Sequence, residues 1–252
     1  MIILKFGGSS VDSARKIKTI EDIVNGEISK NPVVVVSALS GITSELSNLA
    51  EKAFSHNDSS ISNIYIRHKN LINSLAIPLS LESELKQLEE SLKMTNLPKL
   101  HYTDQIISFG EKMSAKIIAT YLKTKGLNAE YFNSYDLGLI TDSNFSAAEY
   151  LPSCLPLIKS NIESLNCIPV ITGFIAKDRQ GNVTTLGRNK SDYSAAIFAN
   201  AVDAKELQIW TDVNGILTAE PRIVSNAKTI SDLSYVEAAE LAYFGARVLH
   251  PK

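Results

Sequence analysis

The chain has few thiols, little net charge and no long apolar run. Its only cysteines are Cys154 and Cys167. Neither their spacing nor any nearby histidine makes a zinc site, so two reduced structural thiols are expected. The formal net charge is -2. No basic field exists to gather nucleic acid, and that partner class is excluded. The opening apolar run, Ile2 to Phe6, is too short for a secretory signal and meets Lys5 and Gly7 at once. No stretch approaches the ~20 apolar residues of a membrane span, so a cytoplasmic protein is expected, with no membrane partner. No internal repeat or low-complexity tract stands out.

What is present is an ordinary globular composition, 44% hydrophobic and 21% charged over 252 residues. That suffices for one large α/β domain or two joined lobes. Short apolar runs alternate with amphipathic helical patterns, which predicts a largely parallel sheet. Strands are expected at 2–6, 32–37, 129–133, 168–172, 183–186 and 207–211. Helices are expected at 13–28, 44–54, 102–125, 192–201 and 234–244, with Asp12 or Ser13 capping the first. Val33-Val34-Val35-Val36 reads as a central strand, apolar on both faces. From about 55 to 103 the strand signals vanish, and 65–75 and 81–92 read as helices. This is a helical insertion within a first lobe, entered through Ser-Asn-rich His56–Asn63. A second lobe is expected from about residue 147, which gives one domain with lobes near 1–146 and 147–252.

Six segments can carry chemistry. Lys5 closes the first strand and is followed by Gly7, Gly8, Ser9 and Ser10. A cation at a strand tip beside glycines makes a phosphate cradle, although the order is not that of the P-loop. Ser37-Ala38-Leu39-Ser40-Gly41-Ile42-Thr43 is a small, hydroxyl-rich turn after the second strand. It suits an anion or polar substrate, or is a plain turn with Thr43 as N-cap. Glu111, after Gly110, can aim a carboxylate at an amine or lie on the surface. Arg188, Ser191 and Asp192 sit in a polar loop opening a helix. Arg188 offers a fork matched to a carboxylate, and the plainer reading makes Asp192 an N-cap. Thr211, Asp212, Asn214, Gly215 and Arg222 form a long polar loop after a strand, and Arg247 lies near the end.

These segments together resemble the aspartokinase catalytic domain, within the amino-acid kinase superfamily. The matching stretches are KFGGSSV, VVVSALSGIT, FGEKMSA, TGFIAKDRQGNVTTLGRNKSDYSA, WTDVNGILTAEPR and SYVEAAELAYFGARVLHP. All six occur in the family's order. The resemblance implies a three-layer αβα sandwich with a mostly parallel sheet, the amino acid toward the first lobe and the nucleotide toward the second. It implies MgATP and L-aspartate as substrates, with ADP and 4-phospho-L-aspartate as products, the entry step to lysine, threonine and methionine.

By the same analogy Lys5 stabilises the transferring phosphoryl, and Gly7, Gly8 and Ser9 supply backbone donors. Asp192 organises the site. Arg188 grips a substrate carboxylate, Glu111 binds the substrate amine, and Thr43 and Ser191 help hold the amino acid. Thr211, Asp212, Arg222 and Arg247 contact the nucleotide. Mg²⁺ is expected to be held mainly through ATP, with no metal ligands of the protein's own. Lys190, Leu217, Glu220 and Arg247 depart from the family pattern. They motivate a further reading, a weakened nucleotide-binding subunit with an interaction role. A kinase of another acidic amino acid, such as glutamate or acetylglutamate, is the other alternative. The two ACT domains typical of the family lie outside 1–252, so lysine and threonine are not expected to inhibit through this chain. Dimer or monomer, and fusion or regulatory domains elsewhere, are left open.

Overall fold

The computed structural model describes residues 1–56, 60–187, 191–213, 215–219 and 223–244. Two compact units divide the chain, Met1–Trp210 and Thr211–Lys252. In order, the first unit contains β1 (Ile2–Phe6), α1 (Ala14–Gly26), β2 (Pro32–Val36), α2 (Ile42–His56), α3 (Ser62–Leu75), α4 (Glu82–Leu92), α5 (Lys99–Ile107) and α6 (Phe109–Thr124). It continues with β3 (Ala129–Phe132), β4 (Ile140–Thr141), α7 (Leu155–Glu163), β5 (Ile168–Thr172), β6 (Ile175–Asp178), β7 (Val183–Thr185), α8 (Ser191–Ala201) and β8 (Leu207–Trp210).

Five strands form one sheet in the order β3-β5-β2-β1-β8, and every neighbouring pair is parallel. Such a sheet must be covered on both faces, which is why β1 and β2 are buried at every position. The alternation of side chains along each strand sorts the core into two layers. Leu4, Phe6, Val34, Val36 and Val170 pack with Ile17, Ile42, Leu46, Leu88 and Ile117 from the helices on one face. Ile3, Val33, Val35 and Ile171 pack with Ile158, Ile162, Ala195 and Phe198 from α7 and α8 on the other. The result is the expected αβα arrangement. Each fully buried aliphatic side chain contributes about 1.5–3 kcal/mol.

The same alternation decides where Lys5 goes. It follows Ile3 by two residues and so shares the face covered by α8. A small second sheet, β4-β6-β7, lies beside this layer. Its strands β4 and β6 were not anticipated. β6 and β7 form a hairpin whose turn closes with Gly181 N–H donating to Asp178 O at 3.1 Å. Helix α7 was also unanticipated, though Pro156 in its first turn and buried Ile158 and Ile162 are the usual signals.

The single helix expected over 102–125 is two, broken at Ser108. The Ser108 hydroxyl donates to Gln105 O at 2.7 Å, a back-bond that bends helices. Ser13, not Asp12, holds the N-cap position of α1, without a side-chain capping bond. Asp12 instead pairs with Lys16 at 3.0 Å. Cys154 and Cys167 are free thiols.

The insertion is α3, α4 and α5, and His56–Asn63 lies partly outside the described residues. In the second unit, α9 (Tyr235–Tyr243) is opened by a capping box in which Ser234 and Glu237 satisfy each other's backbone N–H groups. Among the described residues no helix is long and apolar enough to cross a membrane.

Candidate active site

The C-terminal ends of β1 and β2 release two loops that touch. A Cβ at Gly8 would lie 2.9 Å from Ala38 O, so only glycine permits this approach. Lys5, the penultimate residue of β1, is 7% exposed. Its Nζ lies 2.5 Å from Asp192 Oδ1 in the first turn of α8. An acidic side chain there also meets the positive end of the helix. Asp192 is therefore an inner residue of the helix and not its cap, because α8 begins at Ser191. Past Lys5 the chain makes a tight turn over Gly8–Ser10. Gly7 N–H donates to Trp210 O at 3.3 Å. The donors the turn leaves without a partner inside it are those of Gly8 and Ser9.

Glu111 enters from α6 and is 2% exposed. Its Oε1 accepts from Ala38 N–H at 3.2 Å. Its Oε2 is buried with no hydrogen-bond partner among the described residues. Burial pushes its carboxyl up to about 8, against the lowering effect of the Ala38 bond and of nearby Lys112. A buried acceptor without a donor costs free energy until a ligand supplies one. Thr43 is half-buried in the first turn of α2. Glu45 N–H donates to Gly41 O at 3.0 Å, so Thr43 is not the cap either.

Lys5, Gly8, Thr43, Glu111, Ser191 and Asp192 all line one cleft of about 590 Å³. That is a size suited to a small molecule. Ser37, Ser40, Ser47, Asn48 and Phe174 line it as well. Ser47 and Asn48 were missed, although they repeat Thr43 and Ser44 at a spacing of four and so share their helix face. Phe174 falls within the matching stretch that begins at Thr172 but was given no role of its own. Its φ is +64°, a left-handed conformation held by its N–H donating to Ser194 Oγ at 2.7 Å.

Thr211 and Asp212 begin the second unit. Both are exposed, and the Thr211 hydroxyl donates to Asp212 Oδ1 at 3.1 Å. Leu217 forms an antiparallel bridge with Thr229. Arg188, Arg222 and Arg247, with Lys190 and Glu220, lie outside the described residues. Among the described residues no cluster of three or more His, Cys, Asp or Glu side chains could hold a metal ion.

A parallel sheet between two helical layers, with a polar cleft at its strand ends, defines an α/β protein with a small-molecule site. The chain belongs to the Amino acid kinase family, whose pattern matches residues 1–252. It is 37% identical over 265 residues to aspartokinase 1, chloroplastic, of Arabidopsis thaliana, covering 99% of this chain and 47% of that protein. It is 36% identical over 270 residues to the lysine-sensitive aspartokinase 3 of Escherichia coli K12, covering 100% of this chain and 58% of that one. The chain thus spans about half the length of the curated relatives it matches. Its backbone is similar to the crystal structure of E. coli aspartokinase III in complex with aspartate and ADP, with a TM-score of 0.82 and 31% identity. That match covers 100% of this chain and 58% of the crystallised one.

Proposed function

We propose that this chain transfers the γ-phosphoryl group of MgATP to the side-chain carboxylate of L-aspartate, giving ADP and 4-phospho-L-aspartate. The observation that carries the reading is the meeting of Lys5, Asp192, Thr43, Ser191 and Glu111 in one cleft. The likeness to aspartokinases supports it, one of them crystallised with aspartate and ADP.

The acceptor carboxylate is ionised at neutral pH and already nucleophilic, so no general base is needed. Catalysis is alignment and neutralisation of charge. Lys5 places its ammonium at the strand tip, held by Asp192, where it meets the transferring phosphoryl. Gly8 and Ser9 offer backbone donors to the same phosphates. Glu111 Oε2 accepts from the substrate ammonium, the donor it lacks. Thr43 and Ser191 hydroxyls bond the amino acid, with Arg188 as a second grip on its carboxylate. Thr211, Asp212, Arg222 and Arg247 are assigned to the nucleotide by resemblance. Mg²⁺, brought as MgATP rather than on ligands of the chain's own, would supply neutralisation of phosphate charge.

A hydroxamate assay with ATP, Mg²⁺ and a panel of acidic amino acids tests the reading. Acyl phosphate formed with aspartate, and not with glutamate or N-acetylglutamate, is the expected result. Product with another acid alone reassigns the acceptor. Nucleotide binding without turnover on any acid overturns the kinase reading.

A further inference from the structure

Ile107 of α5 lines the cleft directly, and α3 meets the wall of the cleft through a charged side chain. Arg67, in the middle of α3, donates from Nη2 to Ser40 O at 2.7 Å. Its Nη1 lies 3.3 Å from Glu45 Oε2, in the first turn of α2. The other oxygen of Glu45 accepts from Asn63 Nδ2, at the start of α3. One nitrogen of the guanidinium is thus fixed by a carboxylate, and a second is presented to a backbone carbonyl. A planar fork suits this double duty, and a lysine would not reproduce it fully.

The carbonyl in question belongs to the wall of the cleft. Ser40 and Gly41 are exposed, and Gly41 has φ +80°. They lie between Ala38, which donates to buried Glu111, and Thr43. The loop is therefore tied at two points, by Glu111 on its inner side and by Arg67 on its outer side. Arg67 itself does not line the cleft. An exposed carbonyl could take its hydrogen bond from water, so this bond contributes order more than global stability.

We propose that Arg67 is a positioning residue for the acceptor amino acid. It clamps the Ser40 carbonyl and so holds the Ala38–Thr43 segment, with the Thr43 hydroxyl, in the receiving conformation. It touches neither substrate. The inference rests on the reading of this cleft as the acceptor site.

The test compares the wild-type chain with Arg67→Met and Arg67→Lys. Arg67→Met is expected to raise KM for aspartate about tenfold, while kcat and KM for ATP stay within about twofold. Arg67→Lys should recover part of the loss. Without any substrate, the amides of residues 40–43 should exchange hydrogen faster in Arg67→Met than in wild type. An unchanged KM for aspartate in Arg67→Met overturns the inference and leaves the kinase reading standing. So does a parallel loss of kcat, both KM values and melting temperature, which marks a purely structural role. If wild type phosphorylates no acidic amino acid, the kinase reading fails by itself. The exchange rates then decide the clamp, and unaltered rates overturn it.

Discussion

Lys5 and Asp192 meet at 2.5 Å where the end of β1 faces the first turn of α8. Their side chains are only 9% and 19% exposed, so neither charge is well served by water. Each neutralises the other, and removing one strands its partner in a poorly solvated place. The pair holds an ammonium rigidly at the strand tip, with Gly7 close behind its Nζ.

Lys5→Met should lower kcat about 10²–10³-fold, with little change in KM for aspartate, because the ammonium acts on charge that develops in transfer. Asp192→Asn should also lower the melting temperature. The double variant should lose less stability than the two single losses added together, because it no longer buries an unpaired charge. Steady-state kinetics and thermal denaturation of the cycle check both statements.

Glu111 makes a pH-dependent contribution of definite sign. Its folded-state value is raised, from an ordinary 4.5 to about 8, so the native state binds more protons than the unfolded chain across that window. Stability is therefore lost as pH rises through the window and levels off above it. Glu111→Gln removes this cost and should raise the melting temperature near pH 8 by about 2–4 °C. The same variant should weaken aspartate binding at least tenfold, ~1.4 kcal/mol, since the amide cannot pair with an ammonium. In wild type, KM for aspartate should fall as pH rises toward about 8 and Glu111 ionises. Lys112 titrates in the same range, pushed down to about 8 by burial and by Lys177. Lys112→Met is the control that should keep the pH slope.

Asp104 ties the helical insertion to the smaller sheet. Its carboxylate accepts from Ser146 N–H at 2.8 Å and Oγ at 3.1 Å, and from Thr185 N–H and Oγ1, both at 2.8 Å. An amide in its place turns donors toward donors. Asp104→Asn should cost about 2–3 kcal/mol, read as a midpoint shift in urea without a change in slope.

Gly110 shows helix propensity losing to packing. Alanine is favoured by about 1 kcal/mol in a helix interior. Here its Cβ would lie 2.8 Å from Ala38 Cβ and 3.3 Å from both Ile42 Cγ2 and Leu46 Cδ1. Overpacking of this kind costs about 1–3 kcal/mol. Gly110→Ala should therefore be net destabilising, and by displacing Ala38 it should raise KM for aspartate more than KM for ATP.

The larger strands were legible because their signals are local. Continuous runs such as Val33–Val36 mark buried parallel strands without reference to the rest of the chain. Strand β4, two residues long, carries too little pattern to read. Strand β6 mixes Lys177 and Asp178 into an apolar start, and its partner β7 explains it only after pairing. The break at Ser108 was hidden because the apolar period continues across it.

The candidate site divides in the same way. Lys5 and Asp192 could be singled out because their chemistry stands beside glycines, hydroxyls and strand ends, whereas Thr43, Glu111 and Ser191 took their roles from the family resemblance. Ser47, Asn48 and Arg67 were not singled out, since a polar residue on a helix reads as surface until something faces it.

Residue order alone determined the alternation of strands and helices and the kinds of group available, because periodicity and side-chain chemistry are properties of short segments. Tertiary structure decided the rest. Lys5 is nearly dry because α8 covers its face of the sheet, the Glu111 carboxyl is pushed upward by the packing around it, and Arg67 grips Ser40 because the insertion folds back onto α2. Burial and proximity are set by distant segments meeting, and no local window of sequence contains them.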